Sequence, residues 1–207
     1  MTAAARERAA LVNTMRDAGP DAPTLCGEWT TRDLAAHLVL RERRPDAAAG
    51  ILIPALAGYT ARKQRELTDA TDWTGLLNMV ASGPPVYSPL KLLDPLVNTT
   101  EMFIHHEDVR RAAPGWQRRE LDGDLASALR KQVRLAARMS LSRAPATVTL
   151  KDADGATLAS TGSGPKFEIA GPAAELVLFL SGRDAVELDF SGDDETAAAV
   201  RAARRKL

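Results

Sequence analysis

The hydrophobic period of this chain changes once, at Arg143-Ala144-Pro145, and that change limits what it can fold into. Before it, apolar residues recur at helical spacing; after it, they alternate as strands require. Thr147-Val148-Thr149-Leu150 alternates, Asp152-Ala153-Asp154-Gly155 reads as a turn, and Ala156 to Ser160 pairs back as a hairpin. Lys166-Phe167-Glu168-Ile169 alternates again, and Gly171-Pro172 opens an apolar helix from Ala173 to Ser181. Val186 to Phe190 is a further strand, and a last helix runs from Asp193 into a basic tail. The expected class is α+β, with an antiparallel helical bundle over 1–142 and a small α+β domain over 143–207. The second part is too small to bury a large core by itself and should depend on docking.

Helix punctuation divides the first part. Residues 3–18 carry Ala9, Leu11, Val12 and Met15 on one side and stop at Gly19-Pro20. Thr30-Thr31-Arg32-Asp33 is a capping-box pattern opening a helix to about Arg44, which Pro45 closes. A stretch from Asp46 to Leu67 contains Pro54, which should kink or split it. Asp72 caps a short helix ending at Ser82-Gly83-Pro84-Pro85. Asp94-Pro95 supplies a cap and a first-turn proline for a helix to Ala113, and another spans about Leu121 to Leu141. Short joins between such helices predict antiparallel neighbours.

Composition excludes several classes of function. Among 207 residues, 27 Lys+Arg balance 27 Asp+Glu, so bulk electrostatics would not hold nucleic acid. The single cysteine, Cys26, rules out an intramolecular disulfide and a zinc site built from thiolates, and it suits a reducing compartment. Cys26 lies just before the His37 helix and could be a redox or ligand residue, although a lone cysteine is most often a small buried hydrophobe. Arg6, Glu7 and Arg8 interrupt any leader-like apolar run. The stretch Ala47 to Tyr59 is shorter than the ~18–20 apolar residues of a membrane span. A cytoplasmic protein with no nucleic-acid or membrane partner is expected, as a monomer or homodimer.

The three histidines are gathered in two segments. On a helix of about 100° per residue, with Glu101 at zero, His105 falls near +40° and Asp108 near −20°. Val97 and Ile104 flank that arc on one side and Met102 and Val109 on the other, while Glu107, Arg110 and Arg111 face away. Ionisable groups in a buried stripe require partners. His37 sits similarly among Leu34, Leu38 and Leu40, with Asp33 and Arg41 on its face. Glu101 and His105, with a histidine from a second helix, make a two-His, one-carboxylate set of the kind that holds zinc and leaves a coordination position open. Asp108 would fix the His105 tautomer from outside that set. A buried hydrogen-bonded Glu–His pair without an ion is the simpler alternative. His106 points about 100° away from His105 and has no evident partner. Arg41-Glu42-Arg43-Arg44 and Arg204-Arg205-Lys206 read as solvated faces, and Trp29 as a packing residue before the cap.

Trp29-Thr30-Thr31-Arg32-Asp33-Leu34-Ala35-Ala36-His37-Leu38 resembles the W-T-x-x-D-L-x-x-H-L signature of DinB-like metal-binding four-helix bundles. It is most similar to the N-terminal domain of mycothiol-dependent maleylpyruvate isomerases. Glu101-x3-His105-x2-Asp108 resembles the second signature of that family, and Gly171-Pro172-Ala173-Ala174-Glu175-Leu176 with Gly182-Arg183 resembles its C-terminal α+β domain. The chain as a whole is more similar to an actinobacterial branch of metal-binding proteins in the same superfamily. The resemblance implies one divalent ion, usually zinc, on His37, Glu101 and His105, with water or a thiol at the open position. It implies a transferase or isomerase that uses a low-molecular-weight thiol such as mycothiol on an electrophilic substrate. Arg41 and Arg183 are the expected catalytic residues for the substrate's carboxylate. A non-catalytic small-molecule-binding module with a structural or vestigial metal site, and a helical scaffold without metal, are the competing expectations.

Overall fold

A computed structural model of the chain describes residues 1–86, 88, 91 and 95–204. The described chain forms two compact units, Met1–Gln117 and Arg118–Leu207. The expected Asp94 cap, the Val97 side chain and the tail residues Arg205 and Lys206 lie outside the described residues.

The first unit holds α1 (Ala3–Ala18), α2 (Thr31–Arg43), α3 (Pro45–Leu52), α4 (Ala57–Ala70), α5 (Trp73–Ser82) and α6 (Pro95–Arg110). Local chemistry sets these boundaries. Thr30 caps α2 by accepting from the Asp33 amide, and Asp33 bonds back to the Thr30 amide, closing the capping box. Asp72 caps α5 through the Gly75 amide. Pro54 splits the third stretch as expected, leaving one 3-10 turn, Pro54–Leu56, between α3 and α4. Gly50 allows that turn to close. A Cβ there would collide with the Thr60 hydroxyl and the Leu56 carbonyl.

The core of this unit is built by α1, α2, α5 and α6, with Leu11, Met15, Leu34, Leu38, Leu76, Val80 and Met102 among its fully buried side chains. Two features differ from the sequence reading, and both are buried polar ties. Glu42, expected on a solvated face, is 1% exposed and forms a two-pronged ion pair with Arg8 of α1, whose Nη1 also donates to the Val80 carbonyl at 2.8 Å. On α6, every residue from Met102 to Val109 is buried, so Glu107 and Arg111 do not face away into water. A helix buried all round is ordinarily apolar all round. Here the polar positions are satisfied individually, with Glu107 accepting from Arg110 at 2.9 Å and from Arg111 at 2.7 Å.

His106 is the clearest of these ties. Its Nδ1 lies 2.8 Å from Glu7 Oε1 and its Nε2 lies 2.9 Å from Thr14 Oγ1, both on α1. Glu7 and Thr14 are two helical turns apart, so both ring nitrogens are held by one face of α1. This clamp fixes the rotation of α6 against α1. Replacing His106 with alanine should destabilise the protein by about 2–3 kcal/mol, since a bond to a charged group is lost. Urea denaturation would measure it, and a value within 0.5 kcal/mol of wild type, the usual range of surface changes, would contradict the clamp.

The second unit contains α7 (Gly123–Leu141), β1 (Thr147–Lys151), β2 (Thr157–Thr161), β3 (Lys166–Ala170), α8 (Ala173–Leu180), β4 (Asp189–Ser191) and α9 (Asp194–Ala203). The strand order is β2-β1-β3-β4. β1 and β2 form the expected antiparallel hairpin, β1 and β3 run parallel with Val148 opposite Phe167, and β3 and β4 are antiparallel. Val148, Leu150, Phe167 and Ile169 alternate onto one buried face. The chain thus has the expected α+β class, but the compact units divide at Gln117 rather than at 142. The Leu125, Leu129, Val133 and Leu141 stripe of α7 is buried in the second unit, where α7 packs with α8 and β2. Short joins alone did not reveal which layer that stripe would cover. The last strand is also shorter than expected. The Glu187 amide donates to the buried Glu175 carboxylate at 2.9 Å, which takes it out of the ladder.

Candidate metal centre

The candidate centre lies within the first unit, where α2 and α6 bring their polar positions together. His37, Glu101 and His105 each offer one donor atom, and all three lie within 4.8 Å of one another. Donors bound at about 2.0–2.2 Å stand roughly 3–4 Å apart around a tetrahedral ion, so small side-chain rotations suffice to close the set. The Glu101 Oε1 to His105 Nε2 distance is already 3.2 Å. His37 and His105 meet nearly edge to face, with ring centroids 5.6 Å apart. The Trp29 ring covers His37 at 5.0 Å, making it a wall of the site.

Electrostatics separate the two histidines. Burial, then the neighbouring His105 and Arg41, push His37 down to about 4, so its ring is neutral near pH 7 and carries a free lone pair. For His105, burial works against the charged form, yet hydrogen bonds with Asp108, Cys26 and Glu101 outweigh it and raise the ring well above its ordinary value. Burial would likewise raise Glu101, but the His105 hydrogen bond and charge, with Arg41, hold it at about 2. A neutral imidazole, an ionised carboxylate and a ring whose proton occupies the place of a cation form a donor set suited to a divalent ion. The residues present therefore fit such an ion.

Asp108 is fully buried behind His105, its Oδ2 2.9 Å from His105 Nδ1. That is the arrangement expected of a carboxylate that orients a ligating ring. Arg41 lies on the other side, its Nε 3.4 Å from Glu101 Oε1. Its Nη1 is buried and makes no hydrogen bond among the described residues. An orphaned donor of this kind costs about 1–3 kcal/mol, which an anionic group entering the site would offset. Arg183 belongs to the second unit, just past α8, and its Nη1 donates to the Ser181 carbonyl at 2.5 Å.

One further participant reads two ways in the sequence. Cys26 is not simply a small hydrophobe, because its Sγ lies 3.0 Å from Asp108 Oδ2 and 3.9 Å from His105 Nδ1. Only its nearness in sequence to the α2 cap hinted at this. Gln64 of α4 also adjoins the site, donating to the Asp33 carbonyl at 3.2 Å.

The chain is similar to known proteins in sequence over its first part and in fold over most of its length. Residues 1–94 match the family model of the mycothiol maleylpyruvate isomerase N-terminal domain, a span that includes Cys26 and His37 but ends before Glu101. No curated protein sequence matches the chain. The crystal structure of the mycothiol-dependent maleylpyruvate isomerase is similar over 91% of this chain and 90% of that one, with a TM-score of 0.58 and 16% identity. A histidine-to-alanine mutant of that isomerase is similar over the same shares, with a TM-score of 0.54 and 14% identity. Among the described residues, no helix is long and apolar enough to cross a membrane. Residues 1–94 are thus similar in sequence to the mycothiol maleylpyruvate isomerase N-terminal domain, and the chain shares the fold of the solved isomerase.

Proposed function

We propose that this protein binds one divalent ion, most simply zinc, through His37, Glu101 and His105, and that it is a transferase or isomerase dependent on a low-molecular-weight thiol. The observation that supports this reading most is the convergence of these three donors within 4.8 Å at a largely buried position, beside a guanidinium nitrogen that has no hydrogen-bond partner among the described residues. A divalent ion bound there would lower the pKa of a coordinated thiol and favour its thiolate.

The protein's own residues would do the rest. Asp108 holds the His105 ring by Nδ1, which turns Nε2 toward Glu101 and His37. Trp29 shields the His37 face from water. Arg41 Nη1 offers a positioned donor for the carboxylate of an electrophilic substrate. Mycothiol, the thiol named for the matching family, is the proposed co-substrate.

Elemental mass spectrometry on protein purified without chelator, followed by thermal-shift titration with thiols, tests this reading. About one ion per chain, and a further rise in melting temperature with mycothiol only when the ion is present, are expected. A content below about 0.1 ion per chain after reconstitution would reject it, because a three-ligand catalytic site retains or regains most of its metal. Arg41→Gln should leave the metal content unchanged and raise KM for the carboxylate substrate about tenfold, as expected for loss of a binding contact.

A further inference from the structure

Two hydrogen-bond donors converge on one oxygen behind the metal-binding histidine. Asp108 Oδ2 stands 2.9 Å from His105 Nδ1 and 3.0 Å from Cys26 Sγ, and the carboxylate is fully buried. The loop carrying Cys26 is pinned to α6 at the next residue as well, because the Leu25 amide donates to the Asp108 backbone carbonyl at 3.0 Å. The Cys26 amide in turn donates to Thr24 Oγ1 at 3.1 Å, and the Thr24 hydroxyl donates to the Trp29 carbonyl at 2.8 Å. A continuous set of hydrogen bonds therefore runs from the residue that covers His37, through Cys26, to the carboxylate that orients His105.

We propose that Cys26 is a positioning residue of the metal centre, whose S–H shares Asp108 with the His105 ring and so sets the orientation and donor strength of that ligand. The inference rests on the metal-binding reading given above. A carboxylate oxygen that accepts from the ring N–H keeps some freedom about its own side-chain torsion, and its motion carries the ring with it. A second donor on the same oxygen, held by a loop fixed at the Leu25 amide, removes that freedom. The thiol also withdraws some charge from Asp108 and so slightly tempers the basicity of His105 Nε2, an effect of opposite sign that the gain in orientation outweighs. Direct ligation by Cys26 is the competing arrangement, since Cys26, His105 and Asp108 also lie within 4.8 Å of one another. It would require His105 to turn its Nδ1 lone pair to an ion and abandon the Asp108 hydrogen bond. The set at Nε2 needs neither change.

Cobalt(II) titration of the full chain distinguishes these arrangements, with affinity read by competition against a chromophoric chelator and geometry read from the visible spectrum. Cys26→Ala should weaken cobalt binding about tenfold, the lower end of the effect of removing a residue outside the ligand shell, and shift the ligand-field bands. Cys26→Ser keeps a donor and should restore affinity to within about threefold of wild type. Asp108→Asn should weaken binding at least as much as Cys26→Ala, and the two changes combined should cost less than the product of their separate effects. That pairing decides the matter if Cys26→Ala alone fails to fold, because Cys26→Ser and Asp108→Asn preserve shape. Wild-type affinity in Cys26→Ala would overturn the proposal, as would a Cys26→Ser defect as large as that of Cys26→Ala. A thiolate-to-cobalt charge-transfer band in the wild type that Cys26→Ser abolishes would overturn it too, by placing the sulfur on the ion. Absence of cobalt binding in the wild type would instead refute the metal-binding reading.

Discussion

Replacing His37 with alanine is expected to lower the bound divalent ion from about one per chain to below about 0.1, measured by elemental mass spectrometry after reconstitution and desalting. The effect is large because His37 is the one donor of the three that α6 does not supply. Glu101 and His105 stand one turn apart on a single helix and hold each other at 3.2 Å, so without His37 they relax into a hydrogen-bonded pair that needs no ion. The fold should survive, since the His37 side chain is hydrogen-bonded to Gln64 of α4 at the edge of the site and is not part of the apolar cluster. In chelator the variant should melt within a few degrees of wild type. The stabilisation that the wild type gains from metal, about 2.7 kcal/mol at a hundredfold excess over Kd, should vanish. Retained stoichiometry would show that the ligand from α2 is another residue.

The largest loss of stability is expected at a buried ion pair away from the site. Arg8→Met should cost about 3–5 kcal/mol in urea denaturation, because it strands the Glu42 carboxylate in the interior. Glu42 is 1% exposed, and the described residues bond its carboxylate only through Arg8. Coupling the change to Glu42→Leu should recover most of that loss, as replacing both charges removes the desolvation penalty together with the attraction. A double variant as unstable as Arg8→Met would mean that the cost comes from packing of the Arg8 stem and its 2.8 Å bond to the Val80 carbonyl.

These two expectations mark how far the residues could be read without coordinates. His37, Glu101, His105 and Asp108 were legible because each is ionisable and recurs at helical spacing within an apolar stripe. That pattern is uncommon enough to demand a partner. Glu42, Glu107 and His106 were not legible. Each faces a neighbour that is remote in sequence or lies on a helix with no free side, and helical spacing says nothing about what covers a face. Cys26 reads two ways in the sequence for a related reason. Composition treats a lone thiol as a small hydrophobe, whereas its role follows from an oxygen 82 residues further along the chain.

Local chemistry in the sequence determined the elements: the Thr30–Asp33 capping box, the break at Pro54, the change to alternation after Pro145, and the polar arc on α6. Caps, prolines and periodicity act within a few residues, so they can be read from the chain itself. Only the tertiary structure decided that α7 packs in the second unit and that Cys26 shares Asp108 with His105. It alone decided that both nitrogens of His106 are held by α1. Those outcomes depend on which surfaces meet, and an apolar stripe or a hydrogen-bonding group does not encode its partner until the whole core has packed.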